Sequence, residues 1–420
     1  MDLKSTLPAP VRSSCPSCKA QVNVLLHGLS RFVACGGCGH GYIRDTSTGY
    51  LTERRQYRTR VAKPYLLPGD EGVLFDRRYL VTGWVRKKEK STPYVWTEYH
   101  LFNPVNGFAQ LSVYEGHWTF HEQLRIYPRE TNINQILLFE RNAYEPFNSY
   151  SCSVLEAEGE FTRDVNDDQQ AKVSELVSPP FMLTRELEPD ELAWYLGRYV
   201  EPKAVRQAFG KERDPEPRNG VGACQPMKLA IDVNVLRTIT IIAVLLLLVT
   251  QLVISVTDPP RALLTETHTV MDGPDGRPLP MESSSFSLDR ARSSVELFAR
   301  APEVDNNWFE LSGALINNAT GESRSFTFNI EYYHGYEGGE NWSEGGTKDG
   351  IVFSALPAGT YHLEMDAAYD AVRPVRRVEV RLEQHPTLWS NMWLLLLLAL
   401  AFPLITWYRV SSFETNRWGE

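Results

Sequence analysis

Two cysteine pairs carry the clearest chemistry in the chain: Cys15-Pro16-Ser17-Cys18 and Cys35-Gly36-Gly37-Cys38, separated by the sixteen residues 19–34. A tight turn within each pair can bring both sulfurs to one ion, and the two pairs together supply four thiolates. Four thiolates leave no position for water, so the expected cofactor is a structural zinc ion in a zinc ribbon spanning 12–44. The stretch VNVLLHGLSRFVA is expected to form the hairpin that joins the knuckles, with Gly36, Gly37 and Gly39 at positive φ. His27 and His40 lie nearby, but the cysteines already complete the set. Two disulfides are the competing reading. Arg44, Arg54, Arg55, Arg58, Arg60 and Lys63 follow, a charge that phosphates or an anionic membrane surface would suit. No ladder of aromatic residues accompanies it, so a solvated basic linker over 45–64 is the favoured reading.

Beyond the cysteines, Glu98, Glu115, Glu122, His100, His117 and His121 are the candidate acids, bases or ligands. On a strand His117 and His121 would share a face, because alternate residues point the same way. Nothing resembles HExxH, a phosphate-binding loop, a dinucleotide glycine fingerprint or a nucleophile elbow, which argues against catalysis. Trp96, Glu98 and Tyr99 are candidates for a ligand or partner groove, with Trp96 in the core and Glu98 on a strand surface as the plainer alternative. Cys152 and Cys224 have no partner spacing and read as a buried thiol and an exposed linker thiol.

The elements that must position these residues are mostly strands. Short alternations such as Tyr79 to Val85, Val95 to Leu101, Phe108 to Val113 and Trp118 to Phe120, with turn residues between them, predict an antiparallel β-rich domain over 65–209. A helical tail is expected from Glu188 to Tyr199, starting at Pro189. Tyr79-Leu80-Val81-Thr82-Gly83, Trp96-Thr97-Glu98-Tyr99-His100-Leu101, Gly159-Glu160-Phe161, Ser178-Pro179-Pro180 and Glu186 together resemble the bacterial domain of unknown function 4178, over roughly Leu67 to Phe209. The resemblance implies a zinc ribbon before the domain and membrane helices after it. It also implies association with membrane-stress proteins of the phage-shock type or with aminopropyltransferase-like enzymes, and it implies no particular chemistry.

Two long apolar runs follow. Thr238 to Val256 holds no charged residue, and its nineteen residues at ~1.5 Å each nearly reach the ~30 Å of a bilayer's hydrocarbon core. Trp389 to Tyr408 is bracketed by Trp389, Trp393, Trp407 and Tyr408, which suit the membrane interface, and contains Pro403. Between the runs, 257–290 is rich in Pro, Gly and Ser and reads as a loose stalk. Alternating segments at Trp308 to Ile316, Phe326 to Tyr332, Tyr361 to Met365 and Val375 to Leu382 predict a β-sandwich of six or so strands over 291–386. Its loop at Tyr336 to Gly346, with Glu340, Trp342 and Glu344, is a candidate external binding loop or else a long turn, and its spacing does not match a calcium site.

The chain of 420 residues, 43% hydrophobic and 23% charged with a net charge of -9, has room for several cores, and nucleic acid is not an expected partner of the whole molecule. All six cysteines precede the first apolar run. Reduced thiols persist in the cytosol, so the cysteine-bearing portion and both termini are expected there, with 257–388 outside. Lys228, Arg237, Arg409 and Arg417 favour this orientation; Arg373, Arg376, Arg377 and Arg381 oppose it from within a long loop, where the charge rule weakens. The expected fold is thus mainly β and multidomain, with a ribbon, a β-rich cytoplasmic domain, two membrane helices and an external sandwich. The expected role is a non-enzymatic scaffold or sensor in the bacterial envelope. The alternative is an accessory subunit or enzyme of polyamine or peptide modification at the membrane.

Overall fold

In the computed structural model, which describes residues 11–57, 63–130, 135–166, 171–188, 191–386 and 389–419, each cysteine pair sits in the turn of its own hairpin. Strands β1 (Val11–Ser14) and β2 (Gln21–Val24) flank Cys15 and Cys18; β3 (Phe32–Ala34) and β4 (His40–Arg44) flank Cys35 and Cys38. The segment between the pairs is therefore not one hairpin but the end of the first and the beginning of the second. Lys19 and Gly39, each just after a second cysteine, hold the left-handed backbone at φ 61° and 70°. Gly36 and Gly37 do not. A Cβ at Gly36 would meet the Glu158 side chain, which would have to move aside. Strand β5 (Leu51–Gln56) pairs with β4, and so part of the expected linker is sheet. Its charge is partly spent internally: Arg44 donates to the carbonyls of His27 and Ser30, and Arg54 to Asp164. Arg58 and Arg60 lie outside the described residues.

The next strands are β6 (Glu71–Leu74), β7 (Arg77–Glu89), β8 (Val95–Asn103), β9 (Gly107–Tyr114), β10 (His117–Gln123), β11 (Arg129–Glu130), β12 (Leu137–Phe139), β13 (Asn142–Tyr150), β14 (Cys152–Phe161), β15 (Lys172–Ser178), β16 (Phe181–Leu187) and β17 (Leu192–Val200). Nine of them run in the order β13-β15-β16-β17-β10-β9-β8-β7-β14, every pairing antiparallel. The first and last of this run are consecutive in the chain and joined by the single residue Ser151, so the sheet curls back towards its own beginning. Its outer face carries a core of Leu74, Tyr79, Trp84, Tyr99, Leu111 and Trp118, covered by Val205 and Phe209. Val205 lies on helix α1 (Pro202–Ala208). The expected helix at Glu188 to Tyr199 is instead β17, because pairing on both sides, to β16 and β10, outweighs a spacing that fits either period; Pro189 lies outside the described residues.

The ribbon is fused to this sheet. Strand β3 pairs with β14 at Gly159, Glu160 and Phe161. Gly159 has φ 105°, Phe161 packs on Phe32, and buried Glu160 accepts from the amides of Leu25 and Leu26 and from the Ser30 hydroxyl. The Gly-Glu-Phe motif thus carries the join.

Helices α2 (Val233–Thr257) and α3 (Trp389–Trp418) enclose the two apolar runs and exceed them in length. At ~1.5 Å per residue they measure roughly 37 and 45 Å, and both are long and apolar enough to cross a membrane. Asp232 caps α2 by accepting from the amides of Asn234 and Val235.

Ten strands fill the interval: β18 (Arg261–Thr269), β19 (Met281–Glu282), β20 (Phe286–Leu288), β21 (Ser293–Arg300), β22 (Asn307–Asn317), β23 (Ser323–Glu337), β24 (Glu340–Gly345), β25 (Lys348–Leu356), β26 (Gly359–Tyr369) and β27 (Arg377–Gln384). One sheet has the order β18-β27-β21-β25; the other has β19-β26-β22-β23-β24, with β20 also on β26. Inward residues of both, among them Leu297, Val380, Phe309, Leu311, Phe328 and Leu363, share one apolar core. The expected stalk is largely part of this sandwich, since β18, β19 and β20 all pair into it. Its Pro and Gly residues concentrate in the 271–280 turn. The chain divides into two units, residues 1–230 with 406–420, and residues 231–405.

Candidate ligand cavity and metal centre

The four cysteine sulfurs converge. Cys15 and Cys38 lie 3.6 Å apart, Cys18 and Cys35 3.7 Å apart, and all four within 4.8 Å of one another. A disulfide needs about 2.05 Å, whereas a tetrahedral ion with ~2.3 Å bonds to sulfur has edges near ~3.8 Å. The cluster can therefore hold a metal ion. Burial works against the Cys15 thiolate, but the Tyr42 hydroxyl and the backbone amides of Ser17 and Cys18 outweigh it and bring the thiol down to about 6.

The concave face of the curled sheet encloses the second site. Residues two apart on each strand share a face, and every strand of the nine contributes. Lys87 and Glu89 come from β7, Trp96 and Glu98 from β8, Ser112 from β9, and His117 and His121 from β10. Tyr150, Cys152, Glu175, Thr184 and Tyr195 close the ring from β13 to β17. The cavity measures about 290 Å³. A second cavity of about 220 Å³ shares Gln110, Glu186 and Tyr195 with it and is lined also by His100 and Arg163.

Polar order inside is extensive. Lys87 Nζ lies 2.8 Å from Glu98 Oε2, and Trp96 Nε1 donates to Glu98 Oε1 at 2.6 Å. Tyr150 donates to Glu175 at 2.8 Å, and the Trp96 and Tyr150 rings meet edge to face at 5.4 Å. Burial, with Glu98 and Glu89 nearby, pushes Glu175 up to about 7 despite that hydroxyl. Burial pushes His121 down to about 4, so it is neutral at ordinary pH beside Ser112. His117 Nε2 donates to the Asn219 carbonyl at 3.0 Å, which leaves Nδ1 to accept from Tyr199.

The sequence-based candidates divide accordingly. Trp96 and Glu98 share the cavity face, while Tyr99, one residue out of phase, stacks on Trp118 in the outer core. His117 and His121 do share a face; Glu115 bonds Asn219 and Glu122 pairs with Arg77 at the surface. Cys224 is buried rather than exposed, and burial pushes it up to about 12, which removes it as a nucleophile. Glu340, Trp342 and Glu344 alternate along one side of exposed β24, which pairs with β23 across a Gly338-Gly339 turn, so the expected loop is a ribbon arm.

Sequence reasoning missed one residue altogether. Arg417, at the C-terminal turn of α3, is 2% exposed. Its guanidinium donates to the carbonyls of Gly222 (3.0 Å), Ala223 (2.6 Å) and Gln225 (2.7 Å), and its Nε to Glu414. Gly222 and Ala223 line the cavity, as does Phe147, against which Trp418 packs at 5.6 Å.

Residues 67–202 match the model of the family described as domain of unknown function (DUF4178), which bears out the resemblance read from the motifs. No curated protein matches the chain. Among solved structures, similarity extends to the Clostridium thermocellum endo-1,4-beta-D-xylanase 10B, at 16% identity over 30% of this chain and 26% of that one, with a TM-score of 0.15. The infectious bursal disease virus VP2 subviral particle gives 11% identity over 90% and 74%, with a TM-score of 0.17. The Phanerochaete chrysosporium exo-beta-1,3-galactanase gives 6% identity over 90% and 100%, with a TM-score of 0.17. Similarity this low carries no argument about function.

Proposed function

We propose that this chain is a non-enzymatic, membrane-anchored sensor or scaffold of the bacterial envelope, in which the cavity of the cytoplasmic unit communicates with an apolar helix. The observation that carries the reading is Arg417: a residue of α3 holds three carbonyls of the segment that walls the cavity. A change of cavity contents that moves Gly222 and Ala223 must strain or release those bonds, and α3 feels the difference.

The topology we propose has α2 and α3 as spans, both termini in the cytoplasm and 257–388 outside. Two observations support it. Residues from both ends of the chain build one unit, which suits termini on one side of a bilayer, and all six cysteines belong to that unit. The ion we propose for the cluster is zinc in a structural role, since four thiolates at tetrahedral spacing leave no open position. Partners of the membrane-stress type follow from the family resemblance.

Hydrogen exchange on the full chain in lipid nanodiscs tests the coupling. Arg417→Ala should raise exchange at 219–226 by at least tenfold; unchanged exchange there sinks the sensor reading. Substrate turnover by the purified chain, abolished by Glu98→Ala with folding intact, would replace it with the enzyme or accessory-subunit reading. Protease added to intact cells should cut within 271–280 and spare the first unit.

A further inference from the structure

We infer that the cavity of the curled sheet is a receptor site for an alkylammonium ion, held by Glu175, Glu89 and Thr184 and walled by the rings of Trp96 and Tyr150. The inference rests on reading the cavity as the sensor's ligand site and goes beyond it in naming the ligand's chemistry.

Charge comes first. Four carboxylates line the cavity, on Glu89, Glu98, Glu175 and Glu186, against the single ammonium of Lys87. Lys87 is engaged with Glu98, and Glu186 faces Arg163 at 3.6 Å. Among the described residues neither Glu89 nor Glu175 forms an ion pair; they accept only from the hydroxyls of Ser91 and Tyr150. Two carboxylates facing one cavity without a cation attract one.

The second observation is independent of charge. Thr184 is 8% exposed, lines the cavity, and its Oγ1 is buried without a hydrogen-bond partner. Thr184 is also the direct cross-strand partner of Glu175. An unused hydroxyl beside an unpaired carboxylate forms an acceptor pair, and buried acceptors left empty cost stability. A group that brings several N–H donors and a positive charge satisfies both at once; a primary ammonium is that group.

Other ligand classes fit less well. An anion would meet uncompensated carboxylates, and an apolar molecule would leave Thr184 and Glu175 unsatisfied. A quaternary ammonium has no N–H for the acceptors. A bare metal ion needs ligand atoms that converge, and among the described residues only the four cysteines bring three or more such side chains together. The carboxylates in the cavity stand on different strands without converging on one point, which suits a cation with a methylene chain. The rings of Trp96 and Tyr150 supply faces and edges for that chain and for cation–π contact. The 290 Å³ volume is the space of about ten waters at ~30 Å³ each, enough for a short alkyl mono- or diamine.

The test uses the full chain in nanodiscs, titrated calorimetrically with butane-1,4-diamine and n-butylamine, with tetramethylammonium and n-butanol alongside. Saturable binding of at least one primary amine, at least tenfold tighter than either of the other two, is expected. Glu175→Gln should weaken it at least tenfold and Thr184→Val several-fold, while Glu122→Gln, at a surface ion pair, leaves it unchanged; melting curves establish that each variant folds. The inference is overturned by absence of amine binding, by equal binding of tetramethylammonium, or by wild-type affinity in the folded Glu175→Gln variant. Hydrogen exchange at 219–226 in the same samples separates the two readings. Amine binding that leaves exchange there unchanged sinks the sensor and spares the receptor site.

Discussion

The two units bury opposite things. In the sandwich of residues 261–384 the shared core is wholly apolar, and the buried polar residues, Ser283, Ser293, Asn307, Asn317 and Gln384, are neutral and hydrogen-bonded. In the first unit Lys87, Glu89, Glu98, Glu156, Glu160 and Arg417 are all buried, as are His117 and His121. Among the described residues no Asp, Glu, Lys, Arg or His side chain is buried in the second unit. Burying charge costs stability unless each group is paired, and three of these groups, Lys87, Glu89 and Glu98, lie on one concave face, where a packed apolar core would cost less. The sandwich is a scaffold built by packing. The curled sheet encloses a cavity lined by charged side chains.

This contrast is broken most directly at the four-cysteine cluster, where the largest effect is expected. If the first unit depends on placed polar chemistry, a strong chelator or Cys35→Ser should release about one zinc per chain and unfold the hairpins of 11–44, because structural zinc contributes on the order of 10 kcal/mol or more. Hydrogen exchange should rise across those strands and stay unchanged at 261–384. A next, smaller effect belongs to the sandwich: Leu311→Ala, at a fully buried position, should cost about 2–5 kcal/mol and lower the melting temperature of the second unit alone. Loss of stability in both units from either change would dissolve the distinction.

How much of this the residues disclose depends on how local the signal is. Cysteine spacing is covalent and short-range, and it pointed directly to the cluster. Apolar alternation disclosed most strands, but 191–196 satisfies a helical spacing as well as a strand, and only neighbours on both sides decide. Parity alone would have removed Tyr99 from the groove, since 96 and 98 share a face that 99 cannot. The cavity was illegible: Glu175 and Thr184 are ordinary strand residues until β15, β16 and β8 curl around one space. Arg417 was hidden for another reason. A cation after an apolar helix fits a membrane flank, and nothing nearby in sequence announces the three carbonyls almost two hundred residues away that bury it.

Glu175 sharpens the comparison through pH. Its folded pKa, near 7, lies above the ordinary 4.5, so the folded state holds a proton that the unfolded chain has lost between those values. Stability from this group is therefore fully present below about 4.5 and declines as pH rises through 7, by on the order of 3 kcal/mol. Glu175→Gln should remove that decline and raise the first unit's melting temperature at pH 8 relative to wild type, with little difference at pH 4.5. A saturating amine should act in the same direction at pH 8, since it supplies the missing positive charge. The second unit should be indifferent to all three manipulations.

The smallest effect is expected where the sandwich is most exposed. Trp342 lies on the β23–β24 arm, 44% exposed, directly across from Gly335, whose missing side chain lets the indole approach the backbone. Covering a glycine in this way is worth less than filling a core, so Trp342→Ala should cost below about 1 kcal/mol. For a unit of this size that shifts the melting temperature by roughly 4 °C or less. A larger shift would mean the arm is structural, and the sandwich would then depend on more than its apolar interior. If it holds to the small value, Glu340, Trp342 and Glu344 form a face that the fold does not need, and a binding role for them can be measured without confounding loss of structure.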